Sequence, residues 1–250
     1  MHARSPIPLG DDASLLVLTG AGVSAESGVP TFRDANGLWE KYPVVRVASP
    51  EGFAADPALV WRFYSQRRAR AKGVVPNAGH VAIAEVEWRL GERFLLVTQN
   101  VDGLHRQAGS ARMVEMHGNL FRTRCSRCAR PPFEDATVYA DGTVPTCDAC
   151  GAFLRPDIVW FGEMIATDDM ARIEAFVNRA TTSGPLTFVA AGTSGVVYPA
   201  AGMVNAVRAR GADTWLVNAE PANNASQFAH FVEGKSGEVL PVLLGGRGSR

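Results

Sequence analysis

All four cysteines of the chain fall in two pairs, Cys125-x2-Cys128 and Cys147-x2-Cys150, with 18 residues between the pairs. The first dozen residues carry no apolar stretch of the kind found in a secretion signal, so a reducing, cytoplasmic setting is expected. Disulfides are disfavoured there. Two such knuckles at this separation fit a tetrahedral zinc site made of four thiolates. A redox pair or buried free thiols are the rival readings, but one spacing rule obeyed by every cysteine favours the metal. Four thiolates leave no open coordination position, so one Zn2+ per chain would brace the fold and take no part in the chemistry.

The second signature is Thr19-Gly20-Ala21-Gly22-Val23-Ser24, directly after an apolar run at 15–18. A glycine-rich turn at the end of a first strand lets backbone N–H groups approach the pyrophosphate of a dinucleotide. The hydride-transfer fingerprint is incomplete, because Ala25 stands where its third glycine would be. Glu40 has the offset of the ribose-binding acid, but no strand-like run precedes it in 34–42. An ordinary dehydrogenase is therefore disfavoured.

Polar clusters close three other apolar runs: Gln99-Asn100-Val101-Asp102, Gly192-Thr193-Ser194 and Asn218-Ala219-Glu220. In a parallel sheet, ligands gather at such carboxyl ends. Helix capping by Asn100 and Asp102, and plain turn chemistry at the other two, are the bland alternatives. Of five histidines, only His117 precedes a glycine and sits just upstream of the first cysteine pair. Imidazole suits a general base, since its ordinary pKa lies near neutrality. His105 is read as structural. Asp56-Pro57 starts a helix with Leu59, Val60 and Phe63 as its apolar stripe. Tyr64 and Arg67 then share a face of it. The plain alternative puts Arg67 on a solvated basic face with Arg62, Arg68 and Arg70, and Tyr64 in the core.

Positioning these groups requires alternating strands and helices. Short continuous apolar runs at 15–18, 94–98, 186–190, 215–217 and 239–244 read as strands covered on both faces. Helical patterns lie at 57–72, 78–90, 168–179 and 200–210. The expected fold class is α/β, a doubly wound parallel sheet. The turn-rich, sheet-poor cysteine segment, about 120–155, reads as an inserted module. With 250 residues, 46% of them hydrophobic, the chain can bury a real core. Its 25 basic and 25 acidic residues cancel, which gives no support for nucleic-acid binding. No apolar run approaches the ~18–20 residues that span a bilayer.

The glycine loop continues into Ser27-Gly28-Val29-Pro30-Thr31-Phe32-Arg33-Asp34. With Thr98-Gln99-Asn100-Val101-Asp102, Met116-His117-Gly118, the cysteine pairs, Gly192-Thr193-Ser194 and Val217-Asn218-Ala219-Glu220, the chain resembles the sirtuins, NAD-dependent protein deacylases. The resemblance implies a Rossmann-like NAD-binding domain at 1–42, 79–120 and 156–250. A helical insertion at 43–78 and a zinc ribbon at 121–155 would form a small domain. NAD and an acyl-lysine protein or peptide would meet in the cleft between them, with no role for membrane or specific nucleic acid.

By that resemblance Gly20, Ala21, Gly22, Ser24, Phe32, Arg33, Gly192, Thr193, Ser194, Asn218 and Glu220 contact NAD. Gln99, Asn100 and Asp102 match the nicotinamide and ribose pocket, and His117 the base that draws a proton from the ribose. Within 157–163, Val159 and Phe161 match a stretch that pairs with substrate backbone by strand addition. The Tyr64 and Arg67 pair resembles the desuccinylase and demalonylase branch, so succinyl and malonyl groups, with acetyl beside them, are the expected substrates. The products would be nicotinamide and O-acyl-ADP-ribose. An ADP-ribosyltransferase is the first rival. A non-catalytic NAD-binding module is the second, and it would expect a degraded His117 or Asn100 motif.

Overall fold

The computed structural model describes residues 5–30, 38–39 and 42–245. In chain order the strands are β1 (Ser14–Thr19), β2 (Leu38–Trp39), β3 (Tyr42–Pro43), β4 (Phe94–Thr98), β5 (Met113–Glu115), β6 (Gly118–Cys125), β7 (Phe133–Glu134), β8 (Leu154–Ile158), β9 (Leu186–Ala191), β10 (Asp213–Asn218) and β11 (His230–Glu233). The helices are α1 (Val44–Val47), α2 (Pro50–Ala55), α3 (Pro57–Ala71), α4 (Ala78–Leu90), α5 (Leu104–Gln107), α6 (Thr167–Ser183), α7 (Met203–Arg208) and α8 (Ser236–Leu244).

Six strands form one sheet in the order β11-β10-β9-β1-β4-β5, every neighbouring pair parallel. Numbered along the chain this is 6-5-4-1-2-3, the doubly wound dinucleotide-binding order, with its reversal between β1 and β9. Strand period explains the continuous apolar runs. Leu16 and Leu18 pack with Ile173, Phe176 and Val177 of α6 and Val204 of α7. Leu15 and Val17 pack with Ile83 and Val86 of α4 and Leu240 and Leu243 of α8. Both faces are covered by helices, so the strands are mostly apolar, with a few buried Ser and Thr such as Ser14 and Thr187.

The expected strand at 239–244 is not one. It is most of α8, where Val239, Leu240, Leu243 and Leu244 form a buried stripe toward α4. The last strand is instead β11, paired with β10 from Trp215–His230 to Asn218–Glu233. A short apolar run has no period of its own to tell strand from helix. An edge strand such as β11 needs fewer apolar residues than a central one.

The cysteine segment holds more sheet than its composition suggested. Strands β7-β6-β8 form an antiparallel ribbon, and β6 has eight residues. The ribbon shares a core with α1–α3, in which Val47, Phe53, Val60 and Phe63 meet Leu120, Leu154, Ile158 and Trp160. Arg68 of α3 is no member of a solvated face: it is 1% exposed. It donates to Asp135 Oδ2 (3.0 Å), Leu120 O (2.8 Å), Thr137 O (3.0 Å), Arg122 O (3.2 Å) and Thr123 Oγ1 (2.9 Å). A buried guanidinium needs that many acceptors to offset its lost hydration. It ties α3 to the ribbon.

Candidate active site

The loops after β1 and β9 cross at backbone distance. Gly22 N donates to Gly192 O (2.8 Å), and Gly192 N to Val217 O (3.0 Å). A Cβ on Gly20 would lie 2.7 Å from Gly192 O, and one on Gly22 2.8 Å from Gly192 Cα. The glycines are therefore required by the crossing itself, at the crevice where the strand order reverses. That glycine-built cradle fits a dinucleotide pyrophosphate, which needs backbone that it can approach closely. Thr193 N donates to Asn218 Oδ1 (3.1 Å), while Asn218 Nδ2 donates to Thr193 O (2.6 Å). Asn218 thus braces the β9 loop, the turn role that was its alternative. Ser194 and Glu220 lie exposed beside it, and Ala21 is half-buried. Phe32 and Arg33 lie outside the described residues.

Ser24 joins this cradle to the end of β4. Its hydroxyl donates to Asp102 Oδ2 (2.7 Å), accepts from Asn100 Nδ2 (3.1 Å) and lies 3.3 Å from His80 Nε2. Asp102 divides its oxygens, because Oδ1 takes the Leu104 N–H (2.9 Å) at the start of α5. Asp102 thus serves the start of α5 as well as Ser24. Gln99 Nε2 donates to Thr193 Oγ1 (3.2 Å), bridging the β4 and β9 loops. The structure thus brings Gly20, Gly22, Ser24, Gln99, Asn100, Asp102, Gly192, Thr193 and Asn218 to one end of the sheet.

His117 stands where the sheet passes into the ribbon, between β5 and β6. Gly118 has φ +83°, and a Cβ on it would run into the Asp157 carbonyl, so His117 can only be followed by glycine. His117 Nδ1 lies 3.1 Å from Gln99 O. A carbonyl only accepts, so Nδ1 carries the hydrogen and Nε2 is left as the basic atom. Burial holds the His117 pKa below the ordinary value, partly countered by that carbonyl. The ring is neutral at pH 7 and able to take a proton. Val159 N donates to His117 O (3.0 Å), which sets the segment after β8 beside the histidine. Trp160 is buried, whereas Phe161 is 51% exposed.

Tyr64 is wholly buried, and its oxygen accepts from Trp160 Nε1 (2.9 Å). Burial, opposed by the Arg67 charge and the indole, pushes its pKa up to about 12. Arg67 is half-buried one turn on, its Cζ 5.6 Å from the centre of the Phe63 ring.

The four cysteine Sγ atoms lie within 4.8 Å of one another, with Cys125–Cys150 at 3.5 Å and Cys128–Cys147 at 3.8 Å. A tetrahedron with Zn–S bonds of about 2.3 Å places sulfurs about 3.8 Å apart. The donor set fits one structural zinc.

Several residues of this region are not evident in the motifs. His80 Nδ1 accepts from Asn77 N (3.3 Å) as a capping box, and Asn77 Nδ2 donates to Val23 O (2.8 Å) and Ser27 Oγ (3.1 Å). The start of α4 therefore clamps the cofactor loop; Asn-x-x-His ahead of an apolar helix was the available signal. His105 is structural, its Nε2 2.9 Å from Thr19 Oγ1 and its pKa lowered to about 3 by burial and by His80.

The sequence model of the Sir2 family matches residues 20–199. An NAD-dependent protein deacylase 2 of Pyrobaculum aerophilum is 46% identical over 229 residues, 92% of this chain and 89% of that protein. An NAD-dependent protein deacylase of Pasteurella multocida is 44% identical over 238 residues, 92% and 96% of the two. A solved Sir2 homologue in complex with NAD shares 40% identity and a TM-score of 0.83 over 97% of this chain and 89% of that one.

Proposed function

This chain belongs to the Sir2 family and is an NAD-dependent protein-lysine deacylase, and from that premise we propose that it removes acidic acyl groups, succinyl and malonyl, with acetyl as a further substrate. The observation that carries the reading is Tyr64 beside Arg67 on α3. A phenol held protonated by burial and a guanidinium in whose field it stands are both donors. A carboxylate at the end of an acyl chain accepts from both, and can take the guanidinium bidentately.

The other residues take the following parts in this reading. Gly20, Ala21, Gly22, Ser24, Gly192, Thr193, Ser194, Asn218 and Glu220 hold NAD, and the family resemblance adds Phe32 and Arg33 to this set. When bound, NAD supplies a ribosyl carbon whose bond to nicotinamide is broken as the acyl oxygen bonds to it. Gln99, Asn100 and Asp102 keep that end of the cofactor positioned and shielded from water, where orientation and fixed dipoles do most of the work. His117 Nε2 takes a proton from a ribose hydroxyl. Val159 pairs with the main chain of the substrate, and Phe161 lies along the peptide, so side-chain selectivity is loose. Zinc on Cys125, Cys128, Cys147 and Cys150 keeps the ribbon folded. Residues 43–78 and 121–155 form the small domain, a division supported by their shared core.

The complete burial of Tyr64 favours a second reading, a simple deacetylase in which that tyrosine is only core. A panel of acyl-lysine peptides with Arg67→Met separates the two. Losing a charged hydrogen bond of ~1.5–3 kcal/mol lowers succinyl kcat/KM by one to two orders of magnitude and leaves acetyl-lysine level or improved. Equal losses on both, or a wild type with a wide preference for acetyl-lysine, would remove the carboxylate site. Labelled NAD tests the transferase alternative: label in soluble acyl-ADP-ribose supports deacylation, and label on protein opposes it.

A further inference from the structure

Trp160 occupies an unusual position for a core residue, since its polar edge is spent on the acyl site and its face on a cation. The indole N–H donates to Tyr64 O (2.9 Å). Arg155 lies over the ring, its Cζ 3.4 Å from the ring centre. Arg155 is itself fixed by Glu163 through two bonds (2.6 and 2.9 Å) and by Ile158 O (2.8 Å). Glu163 also accepts the Trp160 backbone N–H (2.8 Å), so one carboxylate holds both the cation and the main chain that carries the indole.

An indole N–H can only donate. With a donor already on one side of the phenolic oxygen, the hydroxyl hydrogen is turned to the other side. A cation against the indole face strengthens the N–H as a donor and holds the arrangement in place. Tyr64 keeps its proton throughout, as burial pushes its pKa up to about 12.

We propose that Trp160 is a positioning residue for acyl selectivity, fixing Tyr64 as a hydrogen-bond donor toward the acyl group, with Arg155 and Glu163 holding it there. This rests on the Tyr64 and Arg67 site proposed above. A phenol free to rotate could accept as readily as donate, and would distinguish a carboxylate-ended chain less well from a methyl-ended one. The competing account is that two buried polar groups merely satisfy each other, in which case their loss harms every substrate alike.

The test is the ratio of kcat/KM for succinyl-lysine over acetyl-lysine, measured on peptides of one sequence at saturating NAD. Wild type is measured first. A wild type indifferent to acyl charge removes the acidic-acyl reading and this inference with it. Given an acid-preferring wild type, Trp160→Phe keeps the ring and deletes the N–H. The ratio should fall about three- to tenfold, the range of one neutral hydrogen bond, through succinyl KM more than kcat. In a Tyr64→Phe background the same change should leave the ratio where that background set it. Glu163→Gln, which loosens the clamp from outside the acyl site, should shift the ratio in the same direction, and it carries the test if Trp160→Phe does not fold. A ratio unchanged in the folded variants, or one altered equally with and without the Tyr64 hydroxyl, would overturn the role of Trp160 and leave the Tyr64 and Arg67 site standing.

Discussion

Alanine at Gly22 would place a carbon 2.8 Å from Gly192 Cα and 2.9 Å from Gly192 O. Carbon atoms rest about 3.5–4.0 Å apart, so the two loops must separate by roughly 1 Å. Neither neighbour is a side chain that could swing aside. The Gly22 N–H bond to Gly192 O, 2.8 Å long, must stretch with them. Overpacking of this kind costs about 1–3 kcal/mol, or roughly 2–12 °C in Tm for a chain of this size. The larger effect falls on NAD. A misplacement of about 1 Å can cost on the order of a hundredfold at a site that depends on fixed geometry, so the Kd for NAD should rise ten- to a hundredfold. Gly211→Ala is the control: φ is +83° and nothing lies within 4 Å, so it carries backbone strain without collision. That strain, about 1–2 kcal/mol, should lower Tm by a similar amount and leave NAD binding untouched. Calorimetric titration with NAD and thermal melts read both quantities. A folded Gly22→Ala protein with wild-type affinity for NAD would refute the cradle, and so would an equal loss of affinity in Gly211→Ala.

The His117 imidazole must be neutral to act as a base, and burial lowers its pKa. The acid limb of kcat/KM for the free enzyme should therefore have its midpoint below about 6.5. His117→Ala should lose about 10²–10⁴-fold in turnover with NAD affinity retained, and a folded variant near full turnover would show the base to lie elsewhere. Cys147→Ala should bind less than one zinc by elemental analysis, melt lower and lose solubility, since a closed thiolate site makes metal binding part of the folding free energy; a metal-free variant that folds well and turns over fully would contradict this. His105 stays neutral in the fold down to about pH 3, whereas the unfolded chain protonates it near 6.5. The unfolded state binds the extra proton in that window, so its contribution is full above about pH 6.5 and is lost as pH falls toward 3. His105→Gln, whose amide can still reach Thr19, should reduce the pH dependence of stability there by up to about 1.4 kcal/mol per pH unit, and unchanged slopes in urea melts would exclude it.

The central strands were legible because of their burial on both faces. Residues 15–18, 94–98 and 186–190 are almost continuously apolar, and their strands β1, β4 and β9, like β10, have sheet neighbours on each side, with helices above and below. The same criterion failed at the margins. Leu243 and Leu244 look no different from strand residues in composition, and only their packing against α4 makes them helical. The edge strand β11, whose burial runs half-buried, half-buried, buried, exposed, has too little apolar surface to register. Edge strands are specified by the partner they pair with, and the partner is distant in sequence.

Much of the candidate site was legible for a related reason: Gln99, Asn100 and Asp102 follow β4, Gly192, Thr193 and Ser194 follow β9, and His117 stands between β5 and a glycine whose backbone admits no side chain. What their identities do not encode is how they constrain one another. Ser24 reads as one more small residue of a glycine loop, yet it is the common partner of Asn100, Asp102 and His80. Arg67 and Arg68 are adjacent and identical in type. One lies half-buried over the Phe63 ring, its charge acting on Tyr64, while the other is buried in the ribbon with five acceptors around it. A helix separates neighbours by about 100°, so one residue of register decides which arginine stays half-buried and which is buried in the ribbon and holds the fold. That decision is made by the ribbon, whose carbonyls of Leu120, Arg122 and Thr137 lie 52 to 69 residues further along the chain. The cysteine ribbon thus bears on the proposed acyl site: by capturing Arg68 it fixes the rotation of α3, and with it the face on which Tyr64 and Arg67 are presented.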